Sequence, residues 1–127
     1  MEEIRKKLSD EAIFEAVKTA YNAVADKMGE DVVVLDIRRV SIISDYFIIA
    51  SANNPNQLKA ITDHVQEKLA ALDIRARHVE GVQSARWILL DFGWITVHLF
   101  CKEEREYYRL EKLWGDARIV LEDELRM

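Results

Sequence analysis

Apolar positions recur along this chain with two different periods. From Ser9 onward, Ile13, Val17, Ala20, Tyr21, Val24 and Met28 return at the spacing of one helix face. Ser9 or Asp10 is placed to cap the first amides and Gly29 to end the run, so the spacing predicts a first helix between them. The stretch "DVVVLDI" is β-branched and nearly unbroken in apolar character, which suits a strand covered on both faces. Tyr46 to Ser51 reads the same way and is expected beside it.

A polar tetrapeptide, Asn53 to Asn56, follows. Asn54 stands before Pro55, and Gln57 comes three residues after the Asn. That order predicts a helix start: the Asn54 side chain accepts from an early amide, Pro55 takes the first helical position, and Gln57 reaches back toward the cap. Leu58, Ile61, Val65, Leu69 and Leu72 then form one stripe. Beyond them lie an extended piece at "ARHV", a turn at Glu80 and Gly81, and two strands, "RWILLD" and "WITVHLFC". The short connection at Phe92 and Gly93 predicts an antiparallel hairpin.

The segment "EREYYRLEKLW" returns to helical spacing, with Tyr107, Leu110, Leu113 and Trp114 close to one face and Gly115 as a stop. In "DARIVLEDELRM" the apolar residues are too sparse for a core element, so residues 116–127 read as a flexible acidic tail. The order α-β-β-α-β-β-β-α predicts an α/β fold, a mixed five-stranded sheet flanked by helices. No repeat or Pro/Gly/Ser-rich linker interrupts it, and 127 residues suffice for one sizeable core, so residues 1–127 read as a single domain.

Composition narrows the function classes. Charged residues make up 32% of the chain and no apolar run approaches the roughly 20 residues of a membrane helix. The N-terminus is charged without the apolar stretch of a secretory signal. Cys101 is the single cysteine, which excludes an intrachain disulfide framework and a thiolate zinc cage. A cytoplasmic protein without a membrane partner is expected. The net charge of −5 disfavours affinity built on neutralising phosphates, and with it direct or sequence-specific nucleic-acid binding. It favours a basic partner.

Four constellations could carry chemistry. The Asn loop joins a strand to a helix N-terminus, a place where phosphates bind, but it lacks the glycine that lets backbone approach a phosphate; helix capping accounts for it. "DFG" at Asp91 to Gly93 matches a magnesium-binding triplet of protein kinases, yet no Gly-rich loop or catalytic loop accompanies it, and a turn is expected. His98 and Cys101 stand three positions apart on a strand, hence on opposite faces, so they do not form a nucleophile and base. His64 and His78 lack partners at ligand spacing, and no metal or other cofactor is implied. The aromatics are more informative: Trp87, Trp94, Tyr107, Tyr108 and Trp114 gather in the last third, flanked by charge, as at the centre of a protein-binding patch.

With these residues in place the chain resembles the ribosomal silencing factor, or Iojap, family. The resemblance rests on "SDYFIIAS", "NNPNQLKAITDHV", Glu80 with Gly81, "WILLDFG" followed by "VHLF", and "REYYRLEKLWGDA", in that order from Ser44 to Ala117. The chain departs from the family pattern at Ala52 to Asn54, where Gly-Asn-Ser is usual, and at Trp94, where an acidic residue is typical. The resemblance implies a nucleotidyltransferase-like topology without catalytic residues. It also implies binding to the large ribosomal subunit through large-subunit ribosomal protein fourteen, a block on small-subunit joining that represses translation, and a homodimer when free. The chain has no Gly-Ser pair to seat a triphosphate and no closely spaced strand carboxylates for metals, which agrees with a protein that is not an enzyme.

Set against a basic partner surface, Trp87, Leu90, Tyr107, Tyr108, Leu110 and Trp114 are the expected anchors. Glu80, Asp91 and Glu111 are the expected carboxylates for Arg or Lys across the interface. Two other readings stand beside this one: a factor in large-subunit assembly, and a degenerate nucleotide-binding enzyme using the Asn loop.

Overall fold

The computed structural model describes residues 8–42, 44–108 and 115–126. Its elements are α1 (Asp10–Asp26), β1 (Glu30–Asp36), β2 (Tyr46–Ala52), α2 (Pro55–Ala70), β3 (His78–Glu80), β4 (Trp87–Asp91), β5 (Ile95–Cys101), α3 (Lys102–Tyr108), β6 (Arg118–Ile119) and α4 (Glu122–Leu125). The strands form one sheet in the order β3-β4-β5-β2-β1-β6. The β2–β5 pair is parallel, and the other pairs are antiparallel.

Alternation divides the strands between two apolar layers. On one face Ile48, Ala50, Ile88, Leu90, Val97 and Leu99 meet Val17 and Val24 of α1 and Leu58, Ile61, Val65 and Leu69 of α2. Each of the Val, Leu and Ile side chains stabilises the fold by roughly 1.5–3 kcal/mol relative to exposure, and Ala50 by less. On the other face Leu35, Phe47, Ile49 and Phe100 form a second cluster, with Trp87 and Ala117 packed against it. Every residue of β2 and β5 is buried, as expected of central strands covered on both sides.

Local chemistry sets the helix ends. Ser9 Oγ accepts from the Ala12 amide at 3.1 Å and caps α1. At the other end the left-handed residue is Met28, with φ 64°, rather than the expected Gly29. Met28 donates to the Ala25 carbonyl and Gly29 to that of Val24, both at 3.0 Å, closing the helix in a Schellman arrangement. Gly29 is required for space, because a Cβ there would lie 2.3 Å from Val24 Cγ1.

The structure corrects three expectations. The sheet has six strands, since residues 118–119 pair with β1 opposite Leu35 and Asp36. Nor are the apolar residues after 115 too sparse for the core: Val120 donates to the Val34 carbonyl at 2.8 Å, and Val120 and Leu125 enter the main core. Few apolar residues suffice because the β1 edge supplies the backbone partners. Thirdly, α2 ends at Ala70, and Leu72 lies past the helix, 48% exposed. Among the described residues no helix is long and apolar enough to cross a membrane.

Candidate partner-binding surface

The polar loop at the start of α2 is spent on structure. Asn54 Oδ1 accepts from the Gln57 amide, and Gln57 Oε1 accepts from the Asn53 amide, each at 2.8 Å. Gln57 Nε2 also donates to the carbonyls of Lys27 and Met28, and Asn53 Nδ2 to Glu30, so the loop ties α2 to the end of α1 and the start of β1. The side chains of Asn53, Asn54 and Gln57 are thus directed at protein groups, with Gln57 reaching one residue past the cap amide that a capping box would use.

The hairpin turn is equally committed. Asp91 Oδ1 accepts from the Gly93 amide at 2.8 Å, and Oδ2 pairs with Arg77 Nε at 3.2 Å. Gly93 itself has φ 93°, the left-handed conformation such a turn demands. "DFG" is thus a turn, and Asp91 serves chiefly to hold it. Ser44 reinforces the same end of the sheet by donating to the Trp94 carbonyl at 2.9 Å and accepting from Thr96 Oγ1.

His98 and Cys101 face away from each other. Cys101 packs in the main core, where Sγ donates to the Ala85 carbonyl at 3.5 Å and burial raises its pKa. His98 lies on the opposite face among Phe47, Trp87 and Phe100. It is 6% exposed, and burial holds its pKa down to about 4, so it is a neutral core member. His64 joins α2 to α1 through Asp26 at 3.1 Å.

The expected anchors separate by strand alternation. Trp87 is half-buried on the second face, stacked on Phe100 with centroids 5.0 Å apart. Leu90 points the other way and is fully buried beneath the helices, so its expected role as a surface anchor is corrected: it belongs to the core. Leu89, which the sequence reading passed over, shares the face of Trp87 and is half-buried. The period of two in "WILLD" carries that signal, since Trp87, Leu89 and Asp91 must lie together. Glu80 is exposed on the edge strand directly opposite Leu89. Gly81, with φ 88°, then turns the chain so closely over β4 that a Cβ would sit 2.0 Å from the Trp87 carbonyl oxygen.

The helix after β5 docks through Arg105, which is buried and donates to Ser51 Oγ at 3.0 Å. Arg86 clamps its first turn by bonding Glu104 at 2.9 Å and Glu103 at 2.8 Å. Tyr107 and Tyr108 complete α3, while their side chains lie outside the described residues, as do Leu110, Glu111 and Trp114. Trp94 is half-buried against the main core.

Comparison with known proteins places this architecture. The family described as "Ribosomal silencing factor during starvation" matches residues 10–126. Ribosomal silencing factor RsfS of Halalkalibacterium halodurans is 43% identical over 106 residues, covering 84% of this chain and 91% of that protein. The mouse protein named "Mitochondrial assembly of ribosomal large subunit protein 1" is 32% identical over 89 residues, covering 68% of this chain and 39% of that one. A crystal structure of a Chromobacterium violaceum protein superposes with a TM-score of 0.79 at 34% identity, covering 81% of this chain and 86% of the other. The chain belongs to the ribosomal silencing factor family.

Proposed function

We propose that this protein binds the large ribosomal subunit through a basic surface of large-subunit ribosomal protein fourteen and prevents the small subunit from joining. It then represses translation by occupancy, with no bond made or broken. The observation that carries this reading is the β3–β4 edge: exposed Glu80 stands opposite half-buried Leu89, next to half-buried Trp87. An apolar centre bordered by a carboxylate is what a cationic protein surface selects, the rings and aliphatics supplying affinity and the charge supplying orientation.

The test is subunit joining followed by light scattering. Added in excess over large subunits, the wild-type protein should slow joining, and Glu80→Lys should weaken the effect most at low salt. Absence of slowing by folded protein rejects the reading. Sedimentation of the free protein in the same buffers reports whether it is the homodimer the resemblance implies.

The name of the mouse relative supports a second reading, a role in large-subunit assembly. Capture with the tagged chain distinguishes them: assembly requires enrichment of precursor large subunits, and silencing requires mature ones.

A further inference from the structure

At the far end of the sheet from β3 and β4, an open cleft of about 600 Å³ lies where β1 ends and β6 begins. Its lining gathers Arg38, Arg39 and Arg118 with Asp36 and Asp116, in a chain whose net charge is −5. The carboxylates hold two of these guanidiniums in place without using all of their N–H groups. Arg38 donates Nε and Nη2 to the two oxygens of Asp36, at 2.9 and 2.7 Å, while its guanidinium lies 5.3 Å over the Tyr46 ring. This fixes the plane of the guanidinium and leaves Nη1 without a partner among the described residues. Arg118 sets Nε 3.6 Å from Asp36 and Nη1 3.3 Å from Glu124, with Nη2 making no hydrogen bond to a described residue. Arg39 is exposed and makes no hydrogen bond or ion pair with a described residue. Asp116 is the opposing charge within the lining and Glu124 meets Arg118 from outside it, so what the cleft offers an anion is its unspent guanidinium N–H groups and the exposed Arg39.

We infer that this cleft takes phosphate oxygens of an RNA backbone. Guanidinium forks bind phosphates through paired N–H groups, and arginines preoriented by carboxylates lose less freedom in doing so. The donors among the described lining residues are guanidiniums, which suit phosphate oxygens, and Tyr46 beneath Arg38 is buried; the contact proposed is to backbone. The overall acidity makes it a local, auxiliary contact, one that strengthens a docking already led by protein. Three strand spacings, about 14 Å, separate β4 from β1. The two edges of one sheet can thus engage a composite surface, protein at one side and RNA at the other. This inference rests on the proposed seat on the large subunit.

The experiment is sedimentation of the full chain with purified large subunits across a range of salt. Arg39→Gln and Arg118→Gln should each reduce the slope of log K against log salt by about 1. Asp116→Asn should raise affinity severalfold at low salt, a direction that damage to the fold does not produce. Wild-type binding with unchanged slopes in both arginine variants overturns the RNA contact while leaving the silencing reading intact. Failure of the wild-type protein to bind overturns both. In a parallel arm, inorganic tripolyphosphate is titrated into the isolated protein. Micromolar binding lost in Arg39→Gln, with subunit slopes unchanged, assigns the cleft to a small polyphosphate and overturns the RNA contact.

Discussion

Trp87 donates its indole N–H to Nδ1 of His98 across the β4–β5 ladder, at 3.4 Å. That bond fixes the imidazole tautomer with its proton on Nε2, an atom with no hydrogen-bond partner among the described residues. Phe47 meets the same ring edge-on, 4.9 Å between centroids, so a charged imidazolium would be poorly solvated there.

A pH dependence of stability follows. The folded protein protonates His98 only near pH 4, whereas the unfolded chain does so from about pH 6.5 downward, so the unfolded state binds more protons between these values. Stability should be full above about pH 6.5 and fall by roughly 3 kcal/mol as pH drops toward 4. Asp36, whose carboxyl Arg38 holds below its usual range, adds a further loss at still lower pH. Urea titrations across this range should show the slope, and His98→Phe should flatten it; an unaltered slope in that variant rejects the assignment.

Met28 occupies a left-handed position that disfavours a Cβ, and it is 75% exposed. Met28→Gly should therefore stabilise the protein, by about 0.5–1 kcal/mol, as the relief of αL strain exceeds the added entropy of the unfolded chain. A thermal melt that moves down instead would show that the Met28 side chain contributes packing of its own.

Asn54→Ala removes the acceptor for the Gln57 amide and should cost about 1 kcal/mol in chemical denaturation. Calorimetric titration with nucleoside triphosphate and magnesium should give no heat of binding, because Asn53, Asn54 and Gln57 are already engaged and the loop has no glycine. Micromolar binding there would revive the enzyme reading.

Neighbouring leucines should behave oppositely. Leu90→Ala opens a cavity under the helices and should cost about 2–5 kcal/mol of stability. Leu89→Ala should leave the fold within about 1 kcal/mol of wild type while weakening attachment to large subunits. Equal effects of the two on melting temperature would contradict the assignment of faces.

Leu125→Ala should cost about 2 kcal/mol, since Leu125 is 2% exposed and packs with the main core. A loose tail would show a change within about 0.5 kcal/mol.

Much of this molecule is written in local spacing. The helical stripes, the cap at Asn54, the hairpin at Gly93 and the opposed faces of His98 and Cys101 follow from periodicity and backbone rules, because each depends on residues a few positions apart. The place of Leu90 is also written in the sequence: the alternation of "WILLD" sets it on the face opposite Trp87.

What the tertiary structure alone decided are contacts between distant segments. The tail becomes a sixth strand because β1 presents an unpaired edge, and a pair such as Val120 with Val34 is invisible to composition. Arg38 and Arg118 share Asp36 across 80 residues of chain, gathering positive charge within an acidic protein. Net charge is a sum over residues, and a sum carries no position; a surface acts through where its charges stand.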